Sequence, residues 1–507
     1  MKYCRLGLVW VSRVFFMAVR RSLAFPMRTL RSSISAEGLT RIGWHLCRIA
    51  IAGSLLFLDI GILVAAAVLN RSGWNTNRRL TTQRNVQFYP KTILITGIGT
   101  AQGLHLARAW DAEGHRVVGA DVTDLDLPVR SGGSMSRTLI AFYRVPKDHY
   151  ISRVLDIVHR EKVDLWIPCS PKATAMEDTT AQQVIESRTN CKCIAFDTEL
   201  TKCFTNTTSF RQYLADRNLP VVACHRVQSR DSIHKILHRS PSKSYQIRRL
   251  SSGEDEAVIV LPKRTLSRTY SEVSEIQISK DSPWVLQQQT RLGEFFADLL
   301  VVRGYVYAIK VRLADARSLC WGASRVDESL AMSIHRVMQS FATHGGPRMT
   351  GHLSVRLLVD EEFDNASVRH TIHIADCVPG SAAVENLLRN ARCPIDGYLA
   401  ALSREPAVPA DDEIAATLCP AQSSLAWVEN QMVFDLFARF LSLGRVRQVV
   451  VSLQAELIPF VFWRNPHFSY RDPLPWWWHV HVYQPLREIW MLMKQTRSAG
   501  LTKSLGR

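Results

Sequence analysis

The 507-residue sequence has no internal repeat, no long low-complexity tract and no patterned cysteines, so neither a repeat array nor a disulfide scaffold is indicated. Its 11 cysteines are scattered along the chain. Only Cys191 and Cys193 lie close together, at a spacing of two rather than the three that is typical of zinc and redox pairs. We therefore expect reduced thiols and a folded body that faces a reducing compartment.

Acidic residues are scarce at the amino end. The chain carries 63 Lys and Arg against 45 Asp and Glu, a net charge of +18. Before Ile49, Glu37 is the only acid, and the bases in that segment are Lys2, Arg5, Arg13, Arg20, Arg21, Arg28, Arg31, Arg41 and Arg48. Because the excess is concentrated there, and because no aromatic-basic motif of a nucleic-acid reader is present, we expect a solvated or membrane-apposed basic segment and no nucleic-acid partner.

One long apolar run follows this basic segment. Residues 49–69 are 21 positions with a single charge, Asp59. A helix of that length, rising about 1.5 Å per residue, reaches roughly across a hydrocarbon layer about 30 Å thick. The run therefore predicts a transmembrane helix and a membrane localisation, with a buried core helix as the alternative.

The charge pattern leaves the topology of this span open. More positive charge precedes the span than follows it, which would send the body across the membrane, whereas reduced thiols favour a cytosolic body. Residues 6–19 are apolar apart from Ser12 and Arg13 and could complete a hairpin. We expect a single-pass or hairpin anchor with a cytosolic body. The Arg-rich, acid-poor start also resembles a mitochondrial transit peptide, which makes a mitochondrial localisation the alternative.

A parallel α/β pattern begins at residue 91. Residues 91–121 indicate a strand, a glycine turn, a helix and a second strand that ends at Asp121. The alternation continues with predicted helices at 150–161 and 176–187 and predicted strands at 163–168 and 193–196. Strands separated by helices predict one doubly wound domain that ends near residue 199.

The glycine turn permits two interpretations. In the first, Gly97, Gly99 and Gly103 lie under the pyrophosphate of a nicotinamide dinucleotide and Asp121 binds its ribose, as an NAD(P)-dependent oxidoreductase would require. In the second, the same glycines only allow a helix to pack closely against a sheet.

A catalytic pair of the short-chain dehydrogenase type is excluded on physical grounds. Tyr143 and Lys147 have the required four-residue spacing, but Pro146 lies between them. Proline removes an amide donor and disfavours helix at the residue before it, so the two side chains do not share a helical face.

The predicted secondary structure changes after residue 200. An amphipathic helix is predicted at 210–218, and the strands that follow are expected to be neighbours in an antiparallel sheet, joined by Ser-, Gly- and charge-rich turns such as 251–255. These predicted strands are 245–250, 257–261, 284–288, 295–302 and 306–311.

Several short segments, taken in order, resemble the ATP-grasp ligases. After the parallel α/β domain come Leu219-Pro220-Val221, PWVLQQ at 283–288, Gly293-Glu294-Phe295, MTGHLS at 349–354, IADCVP at 374–379 and FSYRDPLPWWW at 468–478. Each segment is weak alone, but the ordered set, which covers roughly 91–486, is similar to the fungal, carbamoyl-phosphate-synthase-like branch associated with secondary-metabolite biosynthesis.

The resemblance implies an α/β plus α+β architecture. A parallel Rossmann-like domain at 89–200 would precede an ATP-grasp fold at 201–395. The segment 1–88 would hold the basic start and the membrane anchor, and 396–507 would form a helical, aromatic-rich extension.

The resemblance also implies a chemistry. A carboxylic acid would attack the terminal phosphate of ATP to give an acyl phosphate, from which an amine or another nucleophile would displace phosphate, with Mg²⁺ between the phosphate oxygens. At the family's positions this chain has Arg248 for a phosphate-binding Lys, Gln288 for the adenine-binding acid and Glu294 for the ribose-binding acid. No catalytic side chain is assigned.

The metal positions implied by the resemblance are degenerate. Asp376 retains one carboxylate, but Val378 and Gly380 replace an amide ligand and an Arg. The other metal carboxylate falls on Arg356 and a further phosphate Lys on Thr207, unless the alignment slips towards 360–362. A cation where Mg²⁺ needs an oxygen donor opposes metal binding. Two hypotheses therefore follow besides the oxidoreductase: a working ATP-dependent carboxylate-amine ligase, and an inactive ATP-grasp scaffold that binds nucleotide or a partner protein.

The remaining candidates have structural alternatives. His479 and His481 could bind a metal or only pack, and Cys377 could be a nucleophile or a small buried thiol. Residues 433–447 predict a helix with an apolar face and a surrounding set of arginines. The cluster of Trp476, Trp477, Trp478 and Tyr483 would suit either a bilayer interface or packing against the body.

Overall fold

The structure is a computed structural model, and it describes residues 36–71, 88–123, 129–240, 244–249, 259–276, 278, 284–289, 292–314, 328–364, 367–388, 393–403, 465–491 and 493. The chain divides into two compact units, one of residues 1–62 with 480–507 and one of residues 63–479. The predicted hairpin at 6–19, the turn at 251–255 and the helix at 433–447 lie outside the described residues.

The helix α1, Ala36–Arg71, contains the predicted membrane span. Within the described part of the chain, no helix is both long enough and apolar enough to cross a bilayer. The transmembrane prediction is therefore not supported.

The charge in the middle of the apolar run, Asp59, has a partner within the protein. Oδ2 of Asp59 lies 2.8 Å from Nε2 of His481, and Nδ1 of the same ring lies 2.9 Å from the carbonyl oxygen of Ala52. His481 thus packs against α1, which agrees with the packing interpretation of this histidine.

A five-stranded parallel sheet forms the first part of the larger unit, in the order β3-β2-β1-β4-β5. Its strands are β1 (Thr92–Thr96), β2 (Arg116–Thr123), β3 (Leu139–Pro146), β4 (Leu165–Pro168) and β5 (Lys192–Cys193). The helices that accompany it are α2 (Ala101–Ala112), α3 (Tyr150–Glu161) and α4 (Ala175–Arg188). The predicted parallel, doubly wound sheet is confirmed.

Burial of β1 on both faces explains the parallel arrangement. Ile93 and Ile95 join a core with Trp110 of α2, whereas Leu94 joins a separate core with Val154 of α3. A strand that is apolar on both faces needs helices on both sides, and right-handed crossovers between parallel strands provide them.

The third strand was missing from the sequence prediction. Residues 139–146 form β3, and Lys147 begins a short 3₁₀ turn, Lys147–His149. Tyr143 therefore lies on a strand, where its hydroxyl donates to Glu161, and shares no helix with Lys147. The exclusion of the dehydrogenase pair is confirmed.

Two antiparallel four-stranded sheets follow, not one. The small sheet has the order β6-β9-β7-β8 and the large sheet the order β11-β10-β12-β13. Their strands are β6 (Cys224–Val227), β7 (Ser244–Arg249), β8 (Ile259–Leu261), β9 (Trp284–Gln289), β10 (Gly293–Val302), β11 (Tyr305–Leu313), β12 (Gly351–Asp364) and β13 (Ser367–Pro379). The antiparallel pairing was predicted, but its division into two sheets was not.

Each antiparallel sheet has its own core. The helices of this region are α5 (Thr198–Thr205), α6 (Thr207–Asp216), α7 (Arg230–Arg239), α8 (Leu266–Glu275), α9 (Glu328–Gly345), α10 (Ser381–Leu388) and α11 (Ile395–Ala400). Phe210 of α6 and Phe341 of α9 pack on one face of the large sheet, and Ile233 of α7 with Val273 of α8 packs on the small sheet. The two sheets can therefore hold a cleft between their edges.

The aromatic carboxyl end contributes to the larger unit through α12, Leu474–Trp478. Trp476 is fully buried and Trp477 is 8% exposed, so the packing interpretation holds for both. Six cysteines are free thiols in the structure: Cys169, Cys191, Cys193, Cys203, Cys377 and Cys393.

One acid is buried beside the parallel sheet. Asp178, on α4, accepts a hydrogen bond of 2.6 Å from the hydroxyl of Tyr150. Burial raises the pKa of Asp178 from 3.8 to about 7, although the Tyr150 hydroxyl opposes the rise. The folded protein therefore holds this proton at pH values at which the unfolded chain has released it.

We expect the stability of the protein to fall as the pH rises from about 4 to about 7, by about 4 kcal/mol for this group alone. Ionisation of a buried carboxyl is the cause, so Asp178→Asn should flatten this part of the stability profile. Urea unfolding at a series of pH values measures the effect. Asp156→Asn is the control, because Asp156 is exposed in its pair with Arg153, and a slope unchanged by Asp178→Asn would contradict the prediction.

Candidate functional site

A cleft of about 790 Å³ lies between the small and the large sheet. Its polar lining comes from five strands or their ends: Gln246, Gln288, Gln289, Glu294, Ser354, Arg356 and Asp376. Three of the four predicted site residues, Gln288, Glu294 and Asp376, are therefore brought together in one cleft, Gln288 from the small sheet and the two acids from the large sheet. The fourth, Arg248, lies on β7 opposite Val285 of β9.

Strand pairing decides which side chains meet in the cleft. Phe296 of β10 is paired with Arg356 of β12, and Arg356 is paired in turn with Asp376 of β13. Side chains alternate along a strand, so Glu294 shares the cleft face with Phe296. The register thus places an acid, an aromatic ring, a cation and a second acid side by side.

The cation of this row is held by one of the acids. Nη1 of Arg356 lies 3.5 Å from Oε2 of Glu294, and their side chains are 21% and 36% exposed. Asp376 accepts a hydrogen bond of 2.9 Å at Oδ1 from the backbone N–H of Cys377. A long ion pair at this exposure is weak, so a ligand with its own charges can displace it.

The donor set does not fit Mg²⁺. Arg356 lies directly opposite Asp376, so the position where the resemblance expects a second carboxylate holds a guanidinium. Asp360 is further along β12, opposite Thr371, and does not line the cleft. In the described ranges, no group of three His, Cys, Asp or Glu side chains could hold a metal ion. Mg²⁺ requires several oxygen ligands, and the adjacent cation repels it.

The small-sheet side of the cleft is polar but uncharged, since it contributes Gln246, Gln288 and Gln289. Gln288 is only 5% exposed, and its backbone N–H donates to the carbonyl of Ala223 at 2.9 Å, which fixes β9 at this point. Gly293 has a φ of +111° immediately before Glu294, a backbone conformation that glycine adopts without strain. The sequence Gly-Glu-Phe therefore turns the chain into β10 and presents the acid to the cleft.

Two other residues implied by the resemblance have no place in the cleft. Thr207 is the exposed first residue of α6 and is absent from the cleft lining. Cys377 is buried, and its thiol donates to the carbonyl of Phe204. Burial raises the pKa of Cys377 well above its usual value, and Asp376 raises it further. Because the thiolate is the nucleophilic form, a thiol that stays protonated is unreactive, and we interpret Cys377 as a structural residue.

The glycine turn after β1 is filled by the chain itself. A Cβ on Gly97 would lie 2.6 Å from Cα of Ser170, and one on Gly103 would lie 2.4 Å from the carbonyl oxygen of Gly97. A Cβ on Gly99 would lie 2.6 Å from Oδ2 of Asp121. The glycines are therefore needed for close packing, as the second interpretation of this motif predicted.

Residues 465–479, which we term the C-terminal strap, cover the same turn. Nε2 of His467 lies 3.3 Å from the carbonyl oxygen of Gly99, and the His467 ring stacks on His479 at 4.2 Å. A Cβ on Gly132, beside the turn, would lie 2.5 Å from the carbonyl oxygen of Pro475. A dinucleotide at the glycine turn would have to displace this strap, so the structure does not favour the oxidoreductase. His479 packs here and takes part in no metal cluster among the described residues.

Asp472 fixes the strap to the parallel domain. Its carboxylate accepts hydrogen bonds from Nε of Arg108 at 3.2 Å, from the hydroxyl of Ser136 at 2.5 Å and from the N–H of Arg137 at 3.3 Å. Nη2 of Arg108 also donates to the carbonyls of His467 and Asp472, at 2.8 and 2.7 Å. Burial lowers the pKa of Arg108, whereas Asp472 raises it.

Sequence reasoning missed several residues of these sites. Gln246 and Ser354 line the cleft, but neither belongs to a charged motif. Phe296 could have been found, because alternation from Glu294 along a strand predicts it on the same face. Arg108 had no sequence signal, because its partner Asp472 is distant in the chain.

No protein-family model matches the chain, and no curated protein matches it. Among solved structures, the chain is similar to the biotin carboxylase subunit of pyruvate carboxylase, with 11% identity and a TM-score of 0.44 over 64% of this chain and 72% of that one. It is also similar to the ADP complex of PurK, N5-carboxyaminoimidazole ribonucleotide synthetase, with 15% identity and a TM-score of 0.36 over 58% and 71%. A third is phosphoribosylglycinamide synthetase from Anaerococcus prevotii, with 13% identity and a TM-score of 0.40 over 62% and 75%. Similarity at this level does not assign the chain to a family.

We expect Asp472→Ala to lower the free energy of unfolding by about 3 kcal/mol or more, because it leaves the buried guanidinium of Arg108 without its counter-charge. Urea unfolding of the full chain measures the loss. Glu199→Ala is the matched control, since Glu199 forms an exposed pair with Arg348 and such pairs contribute about 0–1 kcal/mol. Equal losses in the two variants would show that Asp472 does not hold the strap.

Proposed function

We propose that the cleft between the two antiparallel sheets binds ATP in the manner of the ATP-grasp proteins that the sequence resembles. The adenine would lie against Gln288, the ribose at Glu294, and the phosphates towards Arg356 and Asp376. The single observation that supports this proposal is the presence of all four residues on the lining of one cleft.

The residue types suit these roles. The side-chain amide of Gln288 can both donate a hydrogen bond to an adenine edge and accept one from it. Because Gln288 is buried, a ligand that left this amide without a hydrogen-bond partner would bind less tightly. An ionised Glu294 is an acceptor only, as the hydroxyls of a ribose require. A cleft of about 790 Å³ lies within the volume range of small-molecule sites.

Arg356 would take over part of the charge neutralisation that a metal gives in the family. A guanidinium presents several N–H donors in a fixed plane and binds phosphate oxygens in a bidentate manner. In the structure its guanidinium is paired with Glu294. Binding of a polyphosphate would replace this pair, so the cleft would bind nucleotide without Mg²⁺. Of the hypotheses from the sequence, this geometry best supports a nucleotide-binding scaffold.

A carboxylate-amine ligase is the second candidate, because two acids, Glu294 and Asp376, remain on the cleft wall. Its substrates would be a small carboxylic acid and an amine. Release of ADP from ATP in the presence of a panel of carboxylic and amino acids tests it. Turnover that Asp376→Ala abolishes would establish the ligase and remove the scaffold proposal.

We expect ATP to bind equally in EDTA and in excess Mg²⁺, measured by isothermal titration calorimetry. Arg356→Gln should weaken binding about tenfold or more, because a charge-assisted hydrogen bond contributes about 1.5–3 kcal/mol. Arg348→Gln is the matched control, since Arg348 forms an exposed pair with Glu199, a residue that does not line the cleft.

Arg356→Glu provides the reverse test. It places a carboxylate opposite Asp376, so ATP binding by this variant should become dependent on Mg²⁺. Binding by the wild type that requires Mg²⁺, or binding that is unaffected in Arg356→Gln, would contradict the metal-free proposal.

A further inference from the structure

A second arginine is held at the rim of the cleft. Arg312 lies on β11, paired with Phe296 of β10, and its guanidinium is stacked on the Phe296 ring at 4.1 Å from the centroid. Phe296 lines the cleft, as does Leu313, the residue after Arg312. Arg312 is not itself a lining residue, but its guanidinium stacks on a ring that is, next to the space in which we place the nucleotide.

A buried acid fixes this guanidinium from one side. Nε of Arg312 donates to Oδ2 of Asp298 at 2.9 Å, and the Asp298 side chain is fully buried. Burial raises the pKa of Asp298, whereas the hydroxyl of Ser354 and the charge of Arg312 lower it. The Oδ1 atom of Asp298 has no hydrogen-bond partner among the described residues. A buried acid of this kind depends on Arg312 for compensation, so the arginine is strongly restrained.

The outer edge of the guanidinium carries its two Nη groups. No described residue accepts a hydrogen bond from either Nη atom of Arg312, and the side chain is 33% exposed. Arg217 offers a contrast elsewhere in the fold. Its guanidinium stacks on Tyr213 at 3.7 Å, but its donors are directed to the carbonyls of His344 and Tyr213.

The hydrogen bond at Nε and the stacking on Phe296 both restrain the Arg312 side chain. An arginine that is held at Nε and stacked on a ring has already lost its rotational freedom, so it pays little entropy when it binds a ligand. Its two Nη groups match the spacing of two oxygens in a carboxylate or a phosphate. Ordinary surface arginines have neither restraint.

We propose that Arg312 forms an oxyanion subsite at the rim of the cleft, which binds the carboxylate or phosphate group of a bound molecule through its two Nη groups. Asp298 is a positioning residue for this subsite. The phosphate source would be the tail of the nucleotide, in which case the inference rests on the proposed function. The carboxylate source would be a second small molecule bound beside it.

Isothermal titration calorimetry of the full chain tests the subsite with four probes: ATP, adenosine, inorganic phosphate and succinate. Wild type is compared with Arg312→Gln, and Arg217→Gln is the matched control because it loses a stacked arginine outside the cleft. We expect Arg312→Gln to weaken at least one oxyanion probe tenfold or more, to leave adenosine unchanged, and Arg217→Gln to behave as wild type.

The probes separate the two sources. Weaker binding of ATP and phosphate, with succinate unchanged, would assign the subsite to the nucleotide tail. Weaker binding of succinate, with ATP unchanged, would assign it to the carboxylate of a second molecule. Binding of every probe at wild-type strength by Arg312→Gln would overturn the subsite, and so would an equal loss for adenosine.

The same measurements distinguish failure of the proposed nucleotide binding from failure of the oxyanion subsite. A wild type that binds no ATP but loses succinate binding in Arg312→Gln would refute nucleotide binding and retain the subsite. A wild type that binds none of the four probes would refute both.

Two further variants test the bidentate geometry. Arg312→Lys keeps the charge but loses the planar fork, so it should restore less than half of the lost affinity, and full restoration would overturn the bidentate claim. Asp298→Asn should weaken the same probe, and its effect should disappear in the background of Arg312→Gln, because both act through one group. Additive losses would overturn the positioning role of Asp298.

Discussion

The register of the large antiparallel sheet is the constraint on which the candidate site depends. Pairing of β10, β12 and β13 places Phe296, Arg356 and Asp376 in one row across three strands. A shift of one residue would turn every one of these side chains to the opposite face, which is packed with the apolar core. The hydrophobic face therefore fixes the polar one, and the chemistry of the cleft is a consequence of core packing.

Two acids on the cleft face of β10 are paired with arginines. Glu294 is paired with Arg356. Asp298, two residues after Phe296 and therefore on the same face of β10, is paired with Arg312. Two guanidiniums and their acids thus alternate around an aromatic ring. Arginines therefore compensate part of the negative charge on this face of the sheet.

The parallel domain shows how one motif can serve a different physical purpose. Its glycine turn has the spacing of a dinucleotide site, but the missing Cβ atoms make room for the backbone of Ser170 and of Gly97 itself. The C-terminal strap then covers the turn, held by Asp472 and Arg108. Glycine permits close approach of any group, so its spacing alone does not distinguish a phosphate from a neighbouring loop.

Local patterns in the sequence predicted several elements of the fold but missed β3. Apolar runs predicted β1 and β9, periodicity predicted α3 and α4, and Pro146 excluded a helix between Tyr143 and Lys147. The motif order also identified Gln288, Glu294 and Asp376 as members of one site, although their roles remain predictions. Only the tertiary structure decided that Asp59 is matched by His481, that the aromatic end closes the glycine turn, and that Arg312 is held by Asp298. Secondary structure follows from neighbours in the chain, whereas ion pairs and burial depend on residues that are distant in sequence and meet only when the strands are in register.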